Sequence, residues 1–237
     1  MDKVTVIIPT YNRFKYLLNA IDSVQKQTHT NIEIIVVNDC STQKEYYDYN
    51  FDENVTIIHL KENSKTKFGF VCPQRNFGIQ KATGKYIAFL DDDDVWFPNK
   101  LELQIKAMKE NNCKMSCTEG LYGNGIYNKD KYYKKMLAEQ HFDCFKDVYI
   151  NTHLFNNNNF DYPDVWNLDF LKIGNCCICS SVIIDKDVID KTGEFSIVNI
   201  GLEDYEYWLR VLQHTNCVYV RDICVYYDSG HGDGQNY

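Results

Sequence analysis

No stretch of this 237-residue chain comes near the ~18 consecutive apolar residues of a membrane-crossing helix, and VTVIIP, Val4 to Pro9, is too short for a signal-peptide core. The expectation is a cytoplasmic chain, with peripheral docking on a membrane left open. Positive charge is also in short supply. Against 33 Asp and Glu stand 25 Lys and Arg, a net charge of −8, with a pI near 5.2. Surfaces that coat nucleic acid neutralise phosphates with Lys and Arg, so no nucleic-acid partner is expected, and an anionic ligand would need a local remedy such as a metal. No internal repeat is visible. Ten cysteines include the C-x-x-C spacing of Cys176 and Cys179, but structural zinc needs a second pair at matching spacing, and Cys113 with Cys117 is a poor one. Reduced cysteines acting as small buried hydrophobes are expected instead.

What is present alternates. VTVII (Val4 to Ile8), IEIIVV (Ile32 to Val37), VTIIHL (Val55 to Leu60) and KYIAFL (Lys85 to Leu90) are β-branched or aromatic runs bounded by polar residues. Between the first two, Phe14, Leu17, Leu18, Ile21 and Val24 recur at helical spacing. Leu101, Ile105 and Met108 form a second stripe after Pro98, and Tyr205, Trp208, Leu209 and Leu212 a third. Strands alternating with helices predict an α/β fold, its sheet mainly parallel, and ligands in such sheets bind beyond the carboxyl ends of the strands. One domain, residues 1–237, is expected. From 111 to 175 the pattern weakens into Lys, Tyr and Asn, including the Asn156 to Asn159 tract, so an irregular insertion is expected around 119–172.

Three polar clusters follow predicted strands: TYNR (Thr10 to Arg13), NDCS (Asn38 to Ser41) and DDDD (Asp91 to Asp94). The last is the most demanding. Carboxylates about 4 Å apart repel by roughly 1 kcal/mol even in water. Either the run is a solvated acidic turn or a divalent cation offsets the repulsion. Extended backbone would send Asp91 and Asp93 to the same side. An EF-hand fails, because its required glycine falls at Trp96.

Together VTVIIPTYNR, IIVVNDCS, RNFGIQKATGKYIAFLDDDDVWFPNKL and GLEDYEYWLRV resemble, in order and spacing, the family 2 inverting glycosyltransferases of the GT-A fold. The match covers both ends of the chain; the middle adds nothing to it. The resemblance implies a mainly parallel central sheet flanked by helices with a smaller antiparallel acceptor-side portion, residues 1–110 forming the nucleotide-binding half and 111–237 the acceptor-binding half. It also implies that Thr10, Tyr11, Asn12, Arg13 and Asp39 hold the nucleotide base. Uracil suits them, since Asp39 can accept the ring N3–H and Tyr11 offers a stacking face. The alternative for Asp39 is a helix or turn cap beside Ser41, and Arg13 is as readily a surface charge as a phosphate contact. Arg75 and Asn76 would contact the ribose or diphosphate. Asp91 and Asp93 would take the D-x-D positions on Mn²⁺ or Mg²⁺, with Asp93 the direct ligand, Asp91 toward ribose and metal, and Asp92 and Asp94 in support.

The resemblance makes Asp204 the general base, with Glu203 pointing elsewhere into the acceptor site. Read alone, both are acids favoured at a helix N-terminus by the macrodipole. His231 matches a metal-ligating histidine of some members, although its glycine-rich surroundings equally suit a solvated tail. The expected activity is inverting transfer of a sugar from a nucleotide diphosphate donor, UDP-linked, to a hydroxyl of a glycan, lipid or protein. A nucleotidyltransferase would need a glycine- and basic-rich triphosphate loop near the N-terminus, which PTYNRFKY is not. A non-catalytic nucleotide-sugar or carbohydrate-binding module would have no use for Asp204.

Overall fold

The computed structural model describes residues 1–64, 72–140, 162–196 and 202–234. Its chain runs β1 (Val4–Thr10), α1 (Phe14–Gln25), β2 (Ile32–Asn38), the short α2 (Glu45–Asp48), β3 (Val55–His59), α3 (Cys72–Lys81), β4 (Tyr86–Phe89) and β5 (Val95–Trp96). It continues with α4 (Lys100–Glu110), β6 (Met115–Gly123), β7 (Lys134–Lys135), a π turn at Met136–Gln140, β8 (Val165–Trp166) and α5 (Leu168–Leu171). A 3₁₀ turn at Cys179–Ser181, β9 (Ile183–Asp185), α6 (Lys186–Thr192), α7 (Glu203–Val211), β10 (Cys217–Asp228) and α8 (His231–Gly234) complete it.

Ten strands form one sheet in the order β3-β2-β1-β4-β9-β6-β10-β5, with β7 on β6 and β8 on β10. The long ladders, β1 on β2 and β4, β2 on β3, and β6 on β10, are parallel. β9 runs antiparallel to both β4 and β6 and joins the two parallel blocks. β1 is central and buried along its whole length, which is why it reads as an unbroken apolar run rather than an alternating one. Phe14, Leu17, Ile21 and Val24 of α1 are buried as their spacing predicts, and so are Leu101, Ile105 and Met108 of α4. These two stripes share one core with the upper faces of β1, β2 and β4; α7 and α6 close the other.

Two expectations need correction. Of the predicted stripe of α7, Trp208 and Leu212 are buried while Tyr205 and Leu209 are only partly so, and Tyr207 and Val211 join the core unpredicted, Tyr207 because the Phe195 ring stacks on it at 3.8 Å and meets Trp208 edge-on. Within 119–172, both ends are regular: the second half of β6, β7 and the π turn at one end, β8 and α5 at the other. Residues 141–161, including the asparagine tract, and Gly201 lie outside the described residues.

Candidate active site

The four aspartates leave β4 as a turn. The Asp94 N–H donates to the Asp91 carbonyl at 3.1 Å, so the alternation expected of extended backbone does not apply, and Asp92 and Asp93 share one partner while Asp91 and Asp94 find others. Asp92 Oδ1 lies 2.6 Å from Nη2 of Arg13, and Asp93 Oδ2 2.8 Å from Nη1 of the same guanidinium. Asp91 Oδ1 lies 2.6 Å from Nη2 of Arg75. Asp94 Oδ1 accepts the Asp228 N–H at 2.8 Å. Asp92, Asp93 and Asp94 are buried, which overturns the solvated turn, and Arg13 is a buried counter-ion rather than a surface charge.

Burial pushes Asp92 up to about 7 and Asp93 up to about 6, against the pull of Arg13 and with the push of neighbouring carboxylates. Burial also drives Asp94 well above the carboxylate range, with Asp93 and Asp91 adding to it. The repulsion inherent in the run is thus met by two guanidinium groups, Arg13 on Asp92 and Asp93 and Arg75 on Asp91.

A cavity of about 390 Å³ opens beside the turn. Arg75 of α3, Asp91, Glu203 and Asp204 at the start of α7, Asn175 and Cys176 to Cys179 of the loop before β9, Met136 and Leu137 of the π turn, Tyr227 and His231 line it. Segments far apart in sequence therefore meet in one space. Glu203 faces the cavity along with Asp204, contrary to the expectation that it points elsewhere. Asp204 Oδ1 accepts the Tyr205 N–H at 2.6 Å and lies 3.5 Å from Asn175 Nδ2. Burial raises its pKa and Arg75 lowers it. The carboxylate thus serves its helix N-terminus and the cavity together. His231 lines the cavity with its side chain 43% exposed, its Nδ1 4.0 Å from Asp93 Oδ2.

The remaining predicted residues lie outside this lining. Asp39 is buried, accepting from the Ser64 N–H at 2.9 Å, the Ser64 hydroxyl at 2.8 Å and Asn63 Nδ2 at 3.0 Å. Thr10 shares its hydroxyl with Tyr46 at 2.6 Å, and the same phenol oxygen accepts the Arg13 N–H. Asn12, at a φ of 52° that asparagine tolerates better than most side chains, accepts the Thr42 N–H at 2.7 Å and ties the first polar loop to the second. Tyr11 is half-buried beside it. The Asn76 amide is used twice on the backbone of Phe195, at 2.8 and 3.0 Å, and clamps α3 to the segment before α7.

As ligands for a divalent cation, Asp91 and Asp93 offer carboxylates, the donor type that suits Mn²⁺ or Mg²⁺, and His231 a borderline imidazole; here Asp91 is paired with Arg75 and Asp93 with Arg13. Sequence reasoning missed Asn175, whose neighbours drew notice only as cysteines. It also missed Glu119, which is buried and accepts the Leu137 and Ala138 N–H groups and the Tyr219 hydroxyl, fixing the cavity wall. Glu119 lies where the strand pattern of β6 is broken by its own charge, so no sequence signal marked it.

The mainly parallel α/β sheet, with carboxylates and arginines gathered beyond its strands, is that of a GT-A fold. The crystal structure of S. aureus TarS 1–349 superposes with a TM-score of 0.66 at 19% identity, over 98% of this chain and 62% of that one. Residues 5–190 match the family model "Glycosyl transferase family 2", and the chain belongs to that family. The putative teichuronic acid biosynthesis glycosyltransferase TuaG of Bacillus subtilis is 29% identical over 94% of this chain and 77% of its own. The Escherichia coli enzyme WfgD, named a UDP-Glc:α-D-GlcNAc-diphosphoundecaprenol β-1,3-glucosyltransferase, is 31% identical over 90% and 71%. An uncharacterized glycosyltransferase of Rickettsia bellii is 47% identical over 49% of this chain, which spans 16% of that protein. No helix among the described residues is long and apolar enough to cross a membrane.

Proposed function

We propose that this chain transfers a sugar from a UDP-linked donor to a hydroxyl acceptor with inversion at the anomeric carbon. The observation that carries the reading is the cavity shared by Arg75, Asp91, Glu203, Asp204 and His231: cationic and anionic groups for a diphosphate and its counter-ion on one side, a carboxylate base on the other. Asp91, Asp93 and His231 would hold Mn²⁺ or Mg²⁺, which when bound offsets the charge developing on the departing diphosphate. Arg75 holds Asp91 in place and adds positive charge. Asp204 takes the acceptor proton as the new glycosidic bond forms and the bond to the UDP oxygen breaks. Residues 1–110 then serve the nucleotide and 111–237 the acceptor.

TarS is described in complex with UDP and with UDP-GlcNAc, and the WfgD name specifies a UDP-sugar and a diphospholipid-linked acceptor. These support a UDP-sugar donor and, among glycan, lipid and protein acceptors, favour a lipid-linked glycan. They also suit a cytoplasmic chain working peripherally at a membrane. Asp39, whose carboxylate accepts from Ser64 and Asn63, is the proposed reader of uracil N3–H. The test is a panel of UDP-sugars with Mn²⁺, scored for release of UDP with and without glycan acceptors and for binding of UDP against CDP. Turnover of one UDP-sugar and preference for UDP support the reading; binding of nucleotide without release from any donor would leave a binding module instead.

A further inference from the structure

Cys117 of β6, Cys217 of β10 and Cys177 of the loop before β9 present their sulfur atoms to one another in the core. All three Sγ atoms lie within 4.8 Å of each other, and those of Cys117 and Cys217 are 3.6 Å apart. The first two are fixed by the parallel ladder, in which Cys217 faces Met115 and Tyr219 faces Cys117, so both side chains lie on the same sheet face. All three are buried and reduced. Hydrophobic packing alone places a thiol against hydrocarbon and has no preference for three sulfurs together. Zinc–thiolate bonds of about 2.3 Å in a tetrahedron set sulfur atoms about 3.8 Å apart, close to the spacing of this cluster.

We propose that Cys117, Cys177 and Cys217 bind one Zn²⁺ as thiolates, with the fourth coordination position turned toward the cavity that Cys177 also lines. Three thiol protons leave as the ion enters, giving a centre of net charge −1. The donor set is soft and all sulfur, unlike the carboxylates and imidazole of Asp91, Asp93 and His231, so the two sites select different ions. Its consequence for the cavity runs through Cys177. The Cys177 N–H donates to Asn175 Oδ1 at 3.2 Å, and the Asn175 amide nitrogen lies 3.5 Å from Asp204 Oδ1. Fixing Cys177 to two strands of the sheet holds the wall beside Asp204.

The test titrates the reduced full chain with Co²⁺, a spectroscopic stand-in for Zn²⁺. Tetrahedral thiolate ligation gives sulfur-to-cobalt charge-transfer absorption that carboxylate and imidazole ligation does not. One equivalent is expected to produce that band and one equivalent of Zn²⁺ to displace it. Cys177→Ser and Cys217→Ser should each weaken the binding by more than the roughly 10- to 100-fold that loss of an outer-shell partner costs. Cys176→Ser and Asp93→Asn should keep the band. Circular dichroism checks each fold, and Cys177→Ser, beside the cavity, decides the matter if Cys217→Ser does not fold. No charge-transfer band, or an undiminished band in Cys177→Ser, overturns the site, whatever the chain does to UDP-sugars.

Discussion

Nη2 of Arg75 stands 2.6 Å from Oδ1 of Asp91, joining α3 to the first carboxylate of the acidic turn inside the cavity that Asp204 also lines. The ion pair has two effects. It orients Asp91 toward the proposed diphosphate position, and it places a guanidinium where it lowers the pKa of Asp204 against the upward push of burial.

A pH profile reads the second effect. A general base must be ionised, so kcat/KM falls as pH drops through its pKa. Burial puts the Asp204 limb above the ordinary aspartate value of about 4. Arg75→Met removes the opposing charge, and the acid limb is expected to move to higher pH while the maximum rate also drops. Profiles of wild type and variant measured with the same donor check this; superimposable acid limbs would remove Arg75 from the account.

Asp93 is paired with Arg13 and lies near His231. Asp93→Asn keeps the volume and takes away the charge. Transfer is expected to fall by roughly 10²- to 10³-fold, the scale of losing one preorganised electrostatic contact. Calorimetric titration of UDP should show that Mn²⁺ strengthens binding to the wild type and leaves the variant unchanged. Equal Mn²⁺ enhancement in both would place the metal elsewhere.

Lys100 is fully buried, with Nζ 3.9 Å from the centre of the Trp96 ring and donating to Gln104 Oε1 at 2.7 Å. Burial pulls its pKa down from 10.5 to about 7. Between those values the unfolded chain binds a proton that the folded chain has released, so stability rises with pH across that window. Below about pH 7 the full penalty of a buried ammonium is present. Lys100→Met is expected to flatten this rise in Tm between pH 7 and 10. Thermal melts across that range check it, and parallel curves for the two proteins would show that Lys100 does not titrate in the window.

Periodicity made the first half of the fold readable. The apolar runs of β1 to β4 and the stripes of α1 and α4 follow directly from residues that have one role, to be buried. β6 was hidden because its strand carries Thr118 and Glu119, polar residues whose partners come from elsewhere in the fold: the Ser181 hydroxyl for the Thr118 N–H, and the π turn and β10 for Glu119. The long strand β10 was hidden by Arg221 and Asp222, which sit where its register with β6 shifts. At the site, motif spacing singled out Arg75, Asp91, Asp204 and His231, which the cavity gathers. It said nothing of the turn at Asp91 to Asp94, because a hydrogen bond from Asp94 N–H to Asp91 carbonyl leaves no trace in composition. Nor did it reveal that Arg13 neutralises Asp92 and Asp93, since the partners are some 80 residues apart in sequence.

The most direct measurement is kcat for sugar transfer by Asp204→Asn, made alongside UDP binding and thermal melting of the same preparation. The asparagine preserves shape and one hydrogen-bond acceptor, so Tyr205 N–H and Asn175 keep a partner, but it cannot take up the acceptor proton. A fall of roughly 10²- to 10⁴-fold, the usual contribution of a general base, is expected, with UDP affinity and Tm close to wild type. A variant that transfers sugar at the wild-type rate would contradict the assignment of Asp204, and with it the account of this cavity as the place where the glycosidic bond is made.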